Sequence, residues 1–407
     1  MDANFAIAFS ETFEIRPVES RSPTATFSLQ GQERSDMKPT VPPVKSPAIR
    51  DFIRAQVEFP DTFKAPICDR DEMYLFALQN QGSPPRAIVR YYFNGIRIFE
   101  AVKQAVNWHF KGFDTVSSFL DFASGYGRST RFFIQAIPPE KVWISDIYAD
   151  GVKFQAEQFG VNGIISTSQP ENYSCPQTFD CILACSFFSH LPKQTFSDWL
   201  RVLYNLLNPD GLLLFSVHDR ALLPPHLAIP SSELLFCLTS ESQTLDLGEY
   251  GTSYVGEEFV KNAIAQVSAG AAVYHRIPKG ICRYQDLYIV AKTPAIDFSN
   301  FRYYHHPQGK LERCRLTPAG ILELGGWVSE INPGGTISEI TVLINNRLSH
   351  VEKVKADKIE KNDKIFWHLR FKPDRIKPQD TILIKTANNF GLEWVFESAP
   401  LEFILNQ

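Results

Sequence analysis

Strands and helices alternate over residues 116–292, and strands alone follow over 298–407. That order predicts an α/β unit joined to an all-β unit. A glycine-rich turn, Asp121-Phe122-Ala123-Ser124-Gly125-Tyr126-Gly127, links the first strand directly to a helix. The predicted fold class is α/β: a doubly wound, mostly parallel sheet of seven strands with a closing antiparallel hairpin. A helical N-terminal cap precedes it and an immunoglobulin-like β-sandwich follows it. The expected boundaries are a disordered segment over 1–48, the cap over 49–111, the α/β domain over 112–297 and the sandwich over 298–407.

Residues 1–48 are rich in Ser, Thr, Pro and charge and have too little apolar surface to offset the entropy of ordering. Asp51 to Lys111 reads as helical. Ser83-Pro84 forms a helix start, and apolar residues recur at helical spacing from Ile88 to Phe110. The strands expected next are 116–122, 141–146, 162–167, 179–185 and 211–217. The run Phe179 to Cys185 is almost wholly apolar, as in a strand covered on both faces. A helix over Gln194–Leu207 ends at the turn Asn208-Pro209-Asp210-Gly211. After a helix near Glu257–Val267, strands 272–277 and 283–290 are joined through Pro278-Lys279-Gly280 as a hairpin. In the last unit, 321–328, 340–344, 365–371, 381–385 and 394–396 alternate as strands between Asn-Asn, Pro-Gly-Gly and Pro-Asp turns.

The chain has 407 residues, 44% of them hydrophobic, and a formal net charge of −4. That balance argues against nucleic-acid binding, which calls for a basic footprint. No apolar run reaches the roughly 18 residues of a membrane span. The start of the chain lacks the basic stretch of a secretory leader. The 7 scattered cysteines include no C-x-x-C pair, so free thiols in a cytoplasmic setting are expected and a metal site is not.

The glycine turn lets backbone amides and a helix N-terminus approach a small charged ligand. Asp146 closes the second strand, where a carboxylate can accept from both hydroxyls of a ribose. Together they point to a nucleoside cofactor. The dinucleotide pattern G-x-G-x-x-G needs a third glycine where this chain has Thr130, which counts against NAD.

Over about 116–292 the chain resembles the class I, Rossmann-like S-adenosylmethionine-dependent methyltransferases. The resemblance rests on Asp121-x-x-x-Gly125-x-Gly127, Asp146, the Phe179-Asp180 strand, Asn208-Pro209-Asp210-Gly211 and the closing hairpin. The family usually has glycine where Ala123 stands. More narrowly, Phe187-Phe188-Ser189-His190-Leu191 and Gln285-Asp286 look like a bacterial branch acting on small molecules or glycans. The resemblance implies S-adenosylmethionine as cofactor. It would be held by Asp121, Ala123, Ser124, Gly125, Tyr126, Gly127, Asp146, Ile147, Ser186 and Phe187. Ile147 would lie against the adenine, and Ser186 and Phe187 would flank the sulfonium.

A hydroxyl acceptor would need a base. His218, with Asp219 as orienter, and His190 follow the fifth and fourth strands and are the catalytic candidates; each also reads as an ordinary loop residue. Tyr91, Tyr92, Phe187, Phe188, Tyr250 and Tyr254 read either as an entrance, with Glu249-Tyr250-Gly251 as its lid, or as packing. Trp327, Trp367 and Trp394 read as sandwich core or as a sugar-stacking surface. The expected activity is methyl transfer to an oxygen or nitrogen of a small-molecule or glycan acceptor. The alternatives are a scaffold that binds cofactor without turnover and a nicotinamide oxidoreductase. The sandwich could serve a homodimer or a protein partner.

Overall fold

The computed structural model describes residue 53 and residues 61–406, apart from 243, 355–358 and 361–363. The expected disordered segment, 1–48, lies outside the described residues.

Two helices open the described chain, α1 (Glu72–Gln81) and α2 (Pro84–Phe110). Asp71 caps α1 by accepting from the amides of Met73 and Tyr74. Pro84 and Pro85 occupy the first turn of α2, where a missing N–H costs nothing; Ser83 stands at the cap position without a side-chain bond. The α/β unit then runs β1 (Phe119–Phe122), α3 (Thr130–Ala136), β2 (Val142–Asp146), α4 (Ala149–Phe159), β3 (Asn162–Ile165) and β4 (Phe179–Ala184). It continues through α5 (Lys193–Asn205), β5 (Leu207–Asp219), β6 (Leu234–Cys237), β7 (Thr252–Val255), α6 (Glu257–Val267), β8 (Val273–Ile281) and β9 (Gln285–Ala291).

Strands β3, β2, β1, β4 and β5 pair in parallel in that order. β9 runs antiparallel to β5, and β8 antiparallel to β9. These are the seven strands expected, with the closing hairpin. The sheet nevertheless has nine strands, because β6 and β7 form a ribbon. The ribbon joins the tip of β5 at His218 and Asp219. The expected link at Pro278-Lys279-Gly280 is instead the irregular end of β8, and the hairpin turns at Cys282 and Arg283, both at positive φ.

Alternation along each strand sends residues to two cores. Phe119, Ile144, Leu183, Leu214 and Leu287 face one, closed by α2, α3 and α4. Leu120, Ile182, Leu213, Phe215 and Tyr288 face the other, closed by α5 and α6. The same parity places Asp121, Asp146, Ser216, His218 and Gln285 on the first face, and Asp219 and Asp286 on the second.

Beyond Phe301 two antiparallel four-stranded sheets form. One holds β10 (Gln308–Leu316), β11 (Leu322–Ser329), β14 (Ile359–Glu360) and β15 (Lys364–Phe371). The other holds β12 (Ile337–Ile344), β13 (Arg347–Lys353), β16 (Thr381–Asn388) and β17 (Glu393–Pro400). A short helix, α7 (Leu401–Leu405), ends the described chain. The β12–β13 hairpin turns on Asn345 and Asn346, both left-handed, at φ of 48° and 61°. Strands β10, β13 and β14 were not among those expected.

The three tryptophans are buried, so the sugar-stacking reading gives way to packing. Trp367 lies in the sandwich core, Trp327 under Lys364 Nζ (3.8 Å to the ring centroid) and Trp394 under the Arg97 guanidinium (4.3 Å). Arg97 belongs to α2, and Arg86 of the same helix pairs with Glu397 through two donors. Gln104 exchanges bonds of 3.1 and 2.7 Å with the Tyr304 main chain. Helix α2 is thus a shared layer, with one side on the α/β core and the other on the sandwich.

Candidate functional site

The turn after β1 is built on left-handed residues, with φ of 55° at Ala123, 58° at Gly125 and 80° at Gly127. An alanine in this region is disfavoured by ~1–2 kcal/mol, so surrounding bonds must hold Ala123 there. The Gly127 amide donates to Ser124 O at 3.0 Å, and Gln155 Nε2 donates to Ser124 Oγ (2.8 Å) and Gly125 O (2.9 Å). A Cβ on Gly127 would run into the Phe159 ring, whereas one on Gly125 would meet no atom within 4 Å. Gly127 is therefore glycine for packing, and Gly125 borders open space.

Two buried carboxylates frame this turn. Asp121 Oδ2 accepts from Ser129 Oγ (3.0 Å) and Thr130 Oγ1 (2.8 Å), which ties β1 to the start of α3. Asp146 accepts from the Gly125 amide at 2.7 Å and from the Tyr148 amide at 2.9 Å. Burial pushes both acids up to about 6, with the donated hydrogen bonds working against it. Ile147 follows Asp146 with 38% of its surface exposed, an apolar ledge beside the acid. Tyr126 turns the other way, into the core beneath α4 near Phe154, and Ser124 is spent on Gln155.

A buried arginine fixes the turn from below. Arg131 Nε donates to Gly127 O at 3.0 Å, and its Nη1 donates to the carbonyls of Lys64 (3.0 Å) and Pro66 (2.8 Å). Its Nη2 reaches the Tyr91 hydroxyl, which donates to Asp71. Tyr92 donates to Ala65 O. Tyr91 and Tyr92 are therefore buried struts between cap and turn, not entrance residues. Sequence reasoning missed Arg131 and Gln155; the signal for Arg131 was a charge directly before the apolar run Phe132-Phe133-Ile134, and Gln155 gave none.

The ends of β4 and β5 are organised differently. Ser186 is left-handed at φ 56°. Ser216 Oγ holds its amide at 2.8 Å, and its own hydroxyl donates to Gln285 Oε1 at 3.1 Å. Ser216 Oγ also donates to that Oε1 at 2.6 Å, which fixes the amide orientation. Gln285 Nε2 then donates to His218 Nε2 at 3.2 Å. The His218 lone pair is thus occupied. The ring is 7% exposed, and burial, aided by nearby His190, lowers its pKa to about 3. Asp219 does not orient it. That carboxylate sits on the opposite face, accepts from Arg276 Nη2 at 2.8 Å, and lines a cavity of about 440 Å³ with Arg220, Leu223, Ile229, Glu257 and Arg276.

His190 is equally committed. Its Nδ1 lies 2.7 Å from Gly251 O and its Nε2 lies 3.1 Å from Glu241 Oε1. Two acceptors require both nitrogens to carry protons, so this ring is a cation and no base. Burial opposes that charge, but Glu241 outweighs it and the pKa is raised. Phe187 and Phe188 pack in the second core against Phe122, Trp199 and Phe215 rather than lining an entrance. Among the described residues no cluster could hold a metal ion and no helix is long and apolar enough to cross a membrane.

Residues 120–213 match the family model of a methyltransferase domain. The match lies within the α/β unit, whose strand order β3-β2-β1-β4-β5 and antiparallel closing hairpin agree with it. That strand order is the class I, Rossmann-like one. No curated protein sequence matches the chain. Among solved structures, the chain is similar to the plantazolicin methyltransferase BpumL in complex with SAH (13% identity, TM-score 0.39, 60% of this chain and 97% of that one). It is also similar to an S-adenosylmethionine-dependent methyltransferase from Clostridium acetobutylicum (13%, 0.36, 48% and 90%). A third is CalS10, an amino pentose methyltransferase from Micromonospora echinaspora (12%, 0.37, 54% and 96%).

Proposed function

We propose that this chain transfers the methyl group of S-adenosylmethionine to an oxygen or nitrogen of a small-molecule or glycan acceptor. The observation that carries the reading is the open side of Gly125 beside the buried Asp146 carboxylate. A close backbone approach next to an acid at the end of β2 fits the sugar of a nucleoside. Asp146 would accept from the ribose hydroxyls, and Ile147 would cover the adenine. The Gly125–Gly127 backbone would pack against the methionine portion, with Asp121 near its amino group.

The cofactor supplies a methyl already activated by the sulfonium. The protein's task is alignment and exclusion of water. The left-handed Ser186, locked by Ser216 and Gln285, would hold the reacting end of the cleft in one shape. Both ring nitrogens of His190 and the lone pair of His218 are occupied within the fold, so neither residue serves as the base in this reading. A cytoplasmic location fits the seven cysteines, all free.

The test is transfer of labelled methyl from S-adenosylmethionine to panels of amines, hydroxyl compounds and oligosaccharides. Label on one class defines the acceptor atom. Cofactor binding with no transfer to any class would favour the non-catalytic scaffold.

A further inference from the structure

The described chain between β6 and β7, residues 238–242 and 244–251, is tied both beside Asp146 and at the β4 end. Three sets of bonds hold it there. Near Asp146, the Tyr148 hydroxyl lies 2.9 Å from Ser242 Oγ, 2.8 Å from Thr244 Oγ1 and 3.1 Å from Glu72 Oε2. In the middle, Gln169 Nε2 donates to Glu249 Oε1 at 3.1 Å. At the β4 end, His190 binds Glu241 through one nitrogen and the Gly251 carbonyl through the other, and the Gly251 amide returns a bond to His190 O at 2.9 Å.

The His190 ring also stacks on Tyr250, with centroids 4.6 Å apart and planes 16° from parallel. A cationic ring on a phenol face is attractive, more so where water is excluded. The Tyr250 hydroxyl donates to Ser186 O at 3.4 Å. Burial, then the nearby carboxylates of Glu241 and Asp146, raise the Tyr250 pKa.

We propose that Tyr250 is a cofactor-contact residue and that the His190–Glu241 pair positions it, latching residues 238–242 and 244–251 over the cleft. This rests on the reading that the cleft holds S-adenosylmethionine. His190 acts through Tyr250 and is a positioning residue. The groups facing the His190 ring are Glu241 and Tyr250 from the strap and His218 from β5. Of these only Glu241 is charged near neutrality. His190 therefore stays protonated above the ordinary imidazole range, and the latch loosens as pH rises through its raised pKa.

The experiment is titration of the full chain with S-adenosylhomocysteine from pH 6.5 to 9, with melting curves on every variant. On the alkaline side Asp146 is already ionised, and the ligand's own ammonium titrates alike for every variant, so the difference in pH profile between variants reports His190. The unaltered chain should bind more weakly as pH rises. His190→Gln and Glu241→Gln should bind about tenfold more weakly at pH 6.5 and show a shallower pH dependence than the unaltered chain. Tyr250→Ala should show a similar loss with the latch intact, and Tyr250→Phe, which keeps the stack, only about two- to threefold. Variants that melt at lower temperature but bind with unchanged affinity and pH profile would overturn the proposal. An unaltered chain that does not bind S-adenosylhomocysteine at all would overturn the cofactor reading itself.

Discussion

The β1–β2 end of the sheet and the β4–β5 end both carry buried polar residues on the same face. At the β1–β2 end, Asp146 is bonded to two amides and still borders the open side of Gly125. At the β4–β5 end, Ser216, Gln285, His218, His190 and Glu241 bond mostly to one another. The first arrangement leaves acceptor capacity beside empty space, as a ligand site must. The second is largely bonded to itself, with His218 Nδ1 left buried and without a hydrogen-bond partner, and works as a frame. A histidine near a strand's carboxyl end is therefore a weak sign of catalysis until the partners of both nitrogens are known.

The strongest way to break this contrast is at Gly127. Gly127→Ala adds a Cβ against Phe159 at a φ of 80°. It should destabilise the fold by ~2–5 kcal/mol, from left-handed strain plus overpacking, as read by chemical denaturation. Next is Asp146→Ala. Loss of charge-assisted bonds to the ribose should weaken S-adenosylhomocysteine binding by ~1.5–3 kcal/mol, about 10- to 100-fold. Unchanged affinity would remove Asp146 from the site.

The frame predicts a different response. His218 titrates at about 3 in the fold against an ordinary 6.5, so the native state favours the neutral ring. Its contribution is complete above pH 6.5 and lost as pH falls toward 3. By pH 5 the loss is about 2 kcal/mol. His218→Gln should therefore narrow the gap in denaturation free energy between pH 8 and pH 5 by about that amount and leave cofactor affinity unchanged. A large drop in affinity would return His218 to the site. The smallest effect is expected at Asp219→Asn, which weakens a partly exposed pair with Arg276 on the opposite face. Stability should fall by ~0–1 kcal/mol, with methyl transfer unaffected.

The β1–β2 end was the more legible of the two, for a physical reason. Gly125, Gly127 and Asp146 are local in sequence, and their chemistry follows from backbone conformation and strand ends. The seven-strand core was legible because Phe179–Cys185 and Leu212–Val217 are apolar at strand length. The ribbon was not. Leu234-Leu235-Phe236-Cys237 is too short to signal a strand without its partner, Thr252–Val255, which is distant in sequence. Strand β10 was hidden by its charges, Lys310, Glu312, Arg313 and Arg315, which suit a sheet edge and mask the alternation. The roles of His190 and His218 depend on Glu241, Gly251 and Gln285, which only the folded chain brings near them.

The central claim is that the open space at Gly125 and Asp146 holds a sulfur nucleoside. Calorimetric titration of the full chain with S-adenosylmethionine, S-adenosylhomocysteine and NAD tests it most directly. The account predicts saturable binding of both sulfur compounds and none of NAD. Binding of NAD, or of none of the three, would contradict it.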